Sequence, residues 1–141
     1  MIARFTRLDG RRRALVAWAC GWILISKASL AVPGGSLAKW QRWLDRLAAG
    51  LPAAPPCTPH EAAWAITAAA RRVPRTRCLE WSLALRGLLA QAGITGELRI
   101  GVCAAGSGKI TAHAWVDAAG ESWSWGDLEG YSELRPRAAG S

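Results

Sequence analysis

At Gly93 the apolar residues of this chain change period. Before it they recur every three or four positions, as in Leu37, Trp40, Trp43, Leu44 and Leu47, or Leu85, Leu88, Leu89 and Ala92. That spacing lines one face of a helix. After it, Leu98, Ile100 and Val102 alternate with other residues, the pattern of a strand with one buried face. The order predicts α+β: three or four N-terminal helices, then a small antiparallel sheet, with the central helix packed on it. A chain of 141 residues is the usual size of one domain and buries roughly two-thirds of its unfolded surface.

Turn and cap residues set the boundaries. Residues 1–13 read as a basic arm, followed by a helix from about Arg12 to Ser29 and a turn at Val32–Gly35. A second helix is expected from Ser36 to about Ala49. The proline-rich stretch Gly50–Pro56 is the best internal boundary, separating a helical region, 1–50, from a core over 57–136 and a tail, 137–141. Thr58, Pro59 and Glu61 make a capping box with proline in the first turn. Thr76 is the expected cap of the next helix, with Cys78 in its opening turn and Gly93 as its stop. Strands follow at Gly96–Ala104, Ile110–Ala118 and Glu121–Trp125, joined by a loop at 105–109 and a turn around Ala119 and Gly120.

Charge and cysteine content narrow the function classes. A net charge of +8 suits an acidic partner or an anionic surface. The arginines fall in separate groups (11–13, 71–72, 75 and 77) and form no nucleic-acid-reading motif, so no nucleic-acid partner is expected. Cys20, Cys57, Cys78 and Cys103 lack the paired spacing of a zinc site and read as free thiols of a reducing cytoplasm. No metal and no cofactor is expected. Gly106–Lys109 is followed by Ile110 where a phosphate-binding loop requires Ser or Thr, so it reads as a hairpin loop. Residues 11–30 carry a basic flank and an apolar run from Ala14 to Ile25. That run is too short to span a bilayer; a signal segment, a helix on a membrane surface and a buried helix all fit it.

One constellation carries chemistry. Only Cys78 has the setting of a reactive thiol, because unpaired N–H groups at a helix N-terminus favour thiolate and Arg75 and Arg77 push the same way. Its backbone N–H would point outward, ready for an oxyanion. The chain has two histidines. His60 falls in a first helical turn, where imidazole faces solvent, which leaves His113, on a strand, as the base. Asp117 shares its strand face but lies roughly 13 Å along it. A hairpin centred near Ala119 or Gly120 brings Asp127 opposite or diagonal to His113. Trp115, Trp123 and Trp125 either wall a substrate groove or fill the core.

Beyond the residues taken singly, the ordered set "CLEWSLAL", "GITGELRIGV", "AHAWVD" and "GD" leading to "YSEL" resembles the protease domain of lasso-peptide maturation enzymes, transglutaminase-like cysteine proteases that remove the leader of a ribosomally made precursor. The resemblance covers about residues 58 to 135. It implies a transglutaminase or papain-like core with Cys78 as nucleophile, His113 as base and Asp127 as orienting acid. It also implies a split system, in which a separate small leader-binding protein delivers the precursor peptide and an ATP-dependent cyclase closes the ring. An acyl transferase using the same residues, and a non-catalytic scaffold held at a membrane through residues 11–30, are the competing readings.

Overall fold

The computed structural model describes residues 10–31, 37–52, 54–104, 110–125 and 132–134. Among them, four helices precede four strands: α1 (Gly10–Ala31), α2 (Leu37–Gly50), α3 (Pro59–Ala70), α4 (Cys78–Gln91), β1 (Gly96–Ala104), β2 (Ile110–Ala118), β3 (Glu121–Trp123) and β4 (Ser132–Leu134). The strands form one antiparallel sheet in the order β3-β2-β1-β4. This is the α+β arrangement the change of period predicts, with α4 lying on β1 and β2. The short β4 against β1 was not expected.

Helix α1 spans 22 residues and, contrary to the expectation from its apolar run, is long and apolar enough, by length and composition, to cross a membrane. In the fold it packs against α3 and α4 and buries a stripe of Leu15, Val16, Ala19, Trp22, Ile23, Ser26 and Ser29. One face of this segment is thus buried against α3 and α4, while Leu24 is 55% exposed. Apolar residues on both sides of the Gly50–Pro56 stretch, from Leu15 to Ala118, belong to one cluster.

Trp22 and Trp81 are its largest fully buried side chains, each 1% exposed. Trp22 ties α1 to α4. Its ring lies on Gly87 of α4 so closely that a Cβ there would come within 2.5 Å of Cε3. The indole Nε1 donates to Gln91 Oε1 at 2.6 Å, and Gln91 Nε2 donates to the Pro52 carbonyl at 2.9 Å. Outside this core, Arg86 of α4 grips Asp45 of α2 with both guanidinium nitrogens, at 2.7 and 3.0 Å.

The caps explain where the helices begin and end. Thr58 Oγ1 accepts from the Glu61 N–H and Glu61 Oε1 accepts from the Thr58 N–H, both at 3.1 Å. This is the capping box read from the sequence. Helix α4 closes on Gly93 in the left-handed region (φ 80°). There the Ile94 N–H donates to the Leu89 carbonyl and the Gly93 N–H to that of Ala90, which satisfies two orphan acceptors. The start of α4 departs from expectation. Its N-cap is Arg77, whose N–H donates to Glu80 Oε2 at 3.0 Å. Thr76 instead donates to the Val73 carbonyl at 2.9 Å and closes the preceding turn.

The β2–β3 hairpin also corrects the expected register. Ala118 pairs with Glu121 and Val116 with Trp123, so the centre falls between Ala119 and Gly120 rather than on either. Both turn residues take positive φ, 53° and 78°, as a two-residue hairpin turn requires. The ladder stops at Trp123. The observed pairing stops short of His113, and Asp127 lies outside the described residues.

Candidate active site

Cys78 is the first residue of α4, half-buried and a free thiol. The turn before it is tight: Arg75 occupies the left-handed region at φ 60°, unusual for a residue with a side chain. Arg77 is extended (φ −108°, ψ 169°) and its carbonyl accepts the Trp81 N–H at 2.9 Å. The helical bonds thus begin at Trp81, and the N–H groups at the tip have no carbonyl a turn earlier within the helix to receive them. A carbonyl oxygen gaining charge beside Cys78 would meet these donors and the positive end of the helix dipole.

Burial raises the Cys20 thiol, with Arg72 opposing. Burial also raises that of Cys57, to which Glu61 adds, with Arg11 opposing. Both are held toward the protonated, weakly nucleophilic form. The side chain of Cys103 lies outside the described residues.

His113 lies in β2 opposite Gly101 of β1. It is 9% exposed and stacks on Trp115 with ring centroids 6.3 Å apart and planes at 23°. The missing Cβ of Gly96 would touch Val116 Cγ1 at 3.0 Å, Leu89 Cδ1 at 3.4 Å and Ala118 Cβ at 3.9 Å. Val116 and Ala118 therefore point to α4. By strand alternation His113, Trp115 and Asp117 project from the other face. On that face Asp117 accepts from Arg99 Nε at 3.1 Å and from the Ser122 hydroxyl at 2.6 Å, so it serves the sheet. The structure brings the two elements together, the helix of Cys78 and the strand of His113. It does not bring the imidazole to the packed interface between them. Because β3 pairs only Val116 to Ala118, no described strand flanks β2 on that side at His113. Asp127 lies outside the described residues.

Burial lowers the His113 pKa from 6.5, so the folded state binds this proton less readily than the unfolded chain. Stability is fully present above the unfolded value and falls as pH drops from about 6.5 toward the lower folded one. In a pH series of urea midpoints, His113→Gln is expected to flatten this segment. Glu61 contributes a separate loss. The hydrogen bond from Arg11 holds its carboxyl at about 2, so its stabilisation disappears only between 4.5 and 2. An unchanged slope between pH 6.5 and 5 in His113→Gln would show that the imidazole is not the group responsible.

The sequence reading offered Trp123 as a groove wall but did not find the rest of the groove, at the side of the helix that carries Trp81. His60, Trp64, Thr67, Arg71, Trp81 and Trp123 line a cavity of about 330 Å³ between α3, α4 and β3. Trp81 is three residues past Cys78, the spacing that shares a helix face, and its Nε1 donates to Thr67 Oγ1 at 3.2 Å. That spacing is the signal that could have found it. Trp123 belongs to this groove, whereas Trp115 is 7% exposed and lies on the face of β2 away from α4, stacked beside His113. His60 is exposed, as expected, and meets Trp123 edge-on at 4.6 Å. A cleft of about 400 Å³ between α1 and α2, lined by Ile25, Ala28, Ser29, Trp40 and Trp43, contains none of these residues. Among the described residues, no group of three or more His, Cys, Asp or Glu is placed to hold a metal.

A family model described as the transglutaminase-like superfamily matches residues 13–137. No curated protein and no solved structure matches the chain.

Proposed function

The chain belongs to the transglutaminase-like superfamily, whose chemistry is that of cysteine-based hydrolases and transferases, and we propose that this member is the leader peptidase of a lasso-peptide system. One observation carries the reading. A half-buried free cysteine opens the helix that packs on the sheet, while Cys20 and Cys57 are held protonated by burial.

In the proposed reaction the Cys78 thiolate attacks the carbonyl carbon joining leader to core, and tip N–H groups stabilise the oxyanion. The C–N bond breaks as the His113 imidazolium protonates the departing core amine. This leaves a leader thioester and a neutral imidazole. The imidazole then takes a proton from water, whose oxygen attacks the thioester; the leader leaves as a free acid and the thiol is restored. Asp127 orients the imidazole. The groove at Trp81 and Trp123 receives the peptide beside the cut.

A separate leader-binding protein delivers the precursor, an ATP-dependent cyclase follows, and the basic surface of this chain suits an acidic leader. These steps belong to the cytoplasm. The test mixes this protein, the leader-binding protein of its system and the precursor, and follows mass. Hydrolysis yields a free leader acid and an unblocked core. A leader adduct of an added amine would instead assign the transferase chemistry, and an intact precursor would overturn the reading.

A further inference from the structure

We infer that Lys27 is a positioning residue for the Cys78 thiolate, which assigns a catalytic purpose to the N-terminal helix. The inference rests on the peptidase reading and goes beyond it. Lys27 Nζ reaches from α1 to the turn before Cys78, donating to the Arg75 carbonyl at 2.8 Å and to Glu80 Oε2 at 2.8 Å. Both side chains of the ion pair are largely sheltered, with 22% of Lys27 and 13% of Glu80 exposed. The two acceptors are the parts of the tip most in need of a cation. Arg75 is the residue held at positive φ, and a bond to its carbonyl fixes a backbone geometry that L residues adopt at a cost. Glu80 is the one acidic residue of the first turn of α4, and the same oxygen that takes the Lys27 proton also takes the Arg77 N–H at 3.0 Å.

Glu80 creates a conflict that Lys27 resolves. A carboxylate at this position organises the helix start, because it satisfies an orphan N–H and complements the dipole. Two residues from a thiolate, however, the same negative charge opposes the catalytic form of Cys78. An ammonium bonded to the carboxylate keeps its capping role and cancels its field. Among the described residues, the charged groups of the tip itself are Arg75 and Arg77 of the turn, Glu80 of α4 and Lys27 reaching in from α1; the acids of the neighbouring elements are held elsewhere, Glu61 of α3 by Arg11, Asp45 of α2 by Arg86, and Glu97 of β1 and Asp117 of β2 by Arg99. Glu80 is the one anion among these tip groups, so its neutralisation is what sets the sign of the change when Lys27 is removed.

The experiment measures the rate of iodoacetamide alkylation of the full chain against pH. Peptide mass spectrometry separates Cys78 from the other three cysteines, and precursor cleavage is followed in parallel. In Lys27→Met the Cys78 midpoint is expected to rise by about one pH unit, with cleavage at neutral pH falling roughly tenfold. Lys27→Arg should stay near the parent protein. Glu80→Gln keeps an oxygen for the Arg77 N–H but loses the charge, so adding it to Lys27→Met should return the midpoint. A purely structural lysine would show no such rescue. If Lys27→Met does not fold, Glu80→Gln alone decides, with an expected midpoint below the parent because the ammonium loses its counter-charge. A Lys27→Met midpoint equal to the parent, or an unmoved Glu80→Gln, overturns the inference while parental cleavage persists. A parent that alkylates like an ordinary thiol and cleaves nothing overturns the peptidase reading instead.

Discussion

Cys78→Ala loses precursor cleavage by about ten-thousand-fold or more, to the level of the uncatalysed background. The size follows from the mechanism. Alanine offers no atom to form the thioester, and the tip N–H groups alone cannot replace an absent nucleophile. Cys20→Ala and Cys57→Ala keep cleavage within a few-fold, because both thiols are held protonated in packed surroundings and neither has a part in the bond-breaking step. The Cys78 substitution removes one sulfur from a half-buried site, so the variant keeps its fold and its midpoint of urea unfolding. Cleavage is measured by mass spectrometry with the leader-binding protein present. A Cys78→Ala protein that still releases leader would leave the scaffold reading standing and end the enzymatic one.

The second large effect is on stability. Trp22→Ala is expected to cost about 3–5 kcal/mol, since it empties the site of a 1% exposed indole and strips Gln91 of its 2.6 Å donor. Gly87→Ala attacks the same contact from the other side. Its Cβ would fall 2.5–2.7 Å from three atoms of the Trp22 ring, a rigid neighbour that must move with its helix, at about 1–3 kcal/mol. The two changes are not additive. Once Trp22 is alanine, position 87 has room, and alanine there gains about 1 kcal/mol of helix propensity over glycine. Gly87→Ala therefore reverses sign in the Trp22→Ala background. Urea midpoints of the four proteins read this directly, and a Gly87→Ala penalty that persists without Trp22 would mean that another contact sets it.

Much of the layout was legible residue by residue because local rules govern it. The Thr58 capping box, the Gly93 stop and the strands at Gly96–Ala104 and Ile110–Ala118 stand as read. Each depends on a backbone preference or a period within a few positions. The failures share the opposite character. Thr76 was a good cap by type, yet the positive φ of Arg75 rotates the chain so that Arg77 fills the place and Glu80 makes the bond. The hairpin centre was misplaced by half a residue, and in a sheet that changes which face each opposing residue occupies. The partner for β4 was invisible because three residues carry too little period to show one.

The candidate site divides in the same way. Composition and spacing placed Cys78 at a helix start and His113 on a strand, as the structure does, since both are local features. They were also enough to assign the α+β class. Tertiary structure alone decided that His113 projects from the face opposite Val116, that Trp81 and Trp123 share a groove, and that Lys27 reaches Glu80 from 53 residues away. The reason is physical: a side chain's type and local conformation are set by its neighbours in the chain, whereas its charge environment is set by whatever the packing of distant helices brings within a few ångströms.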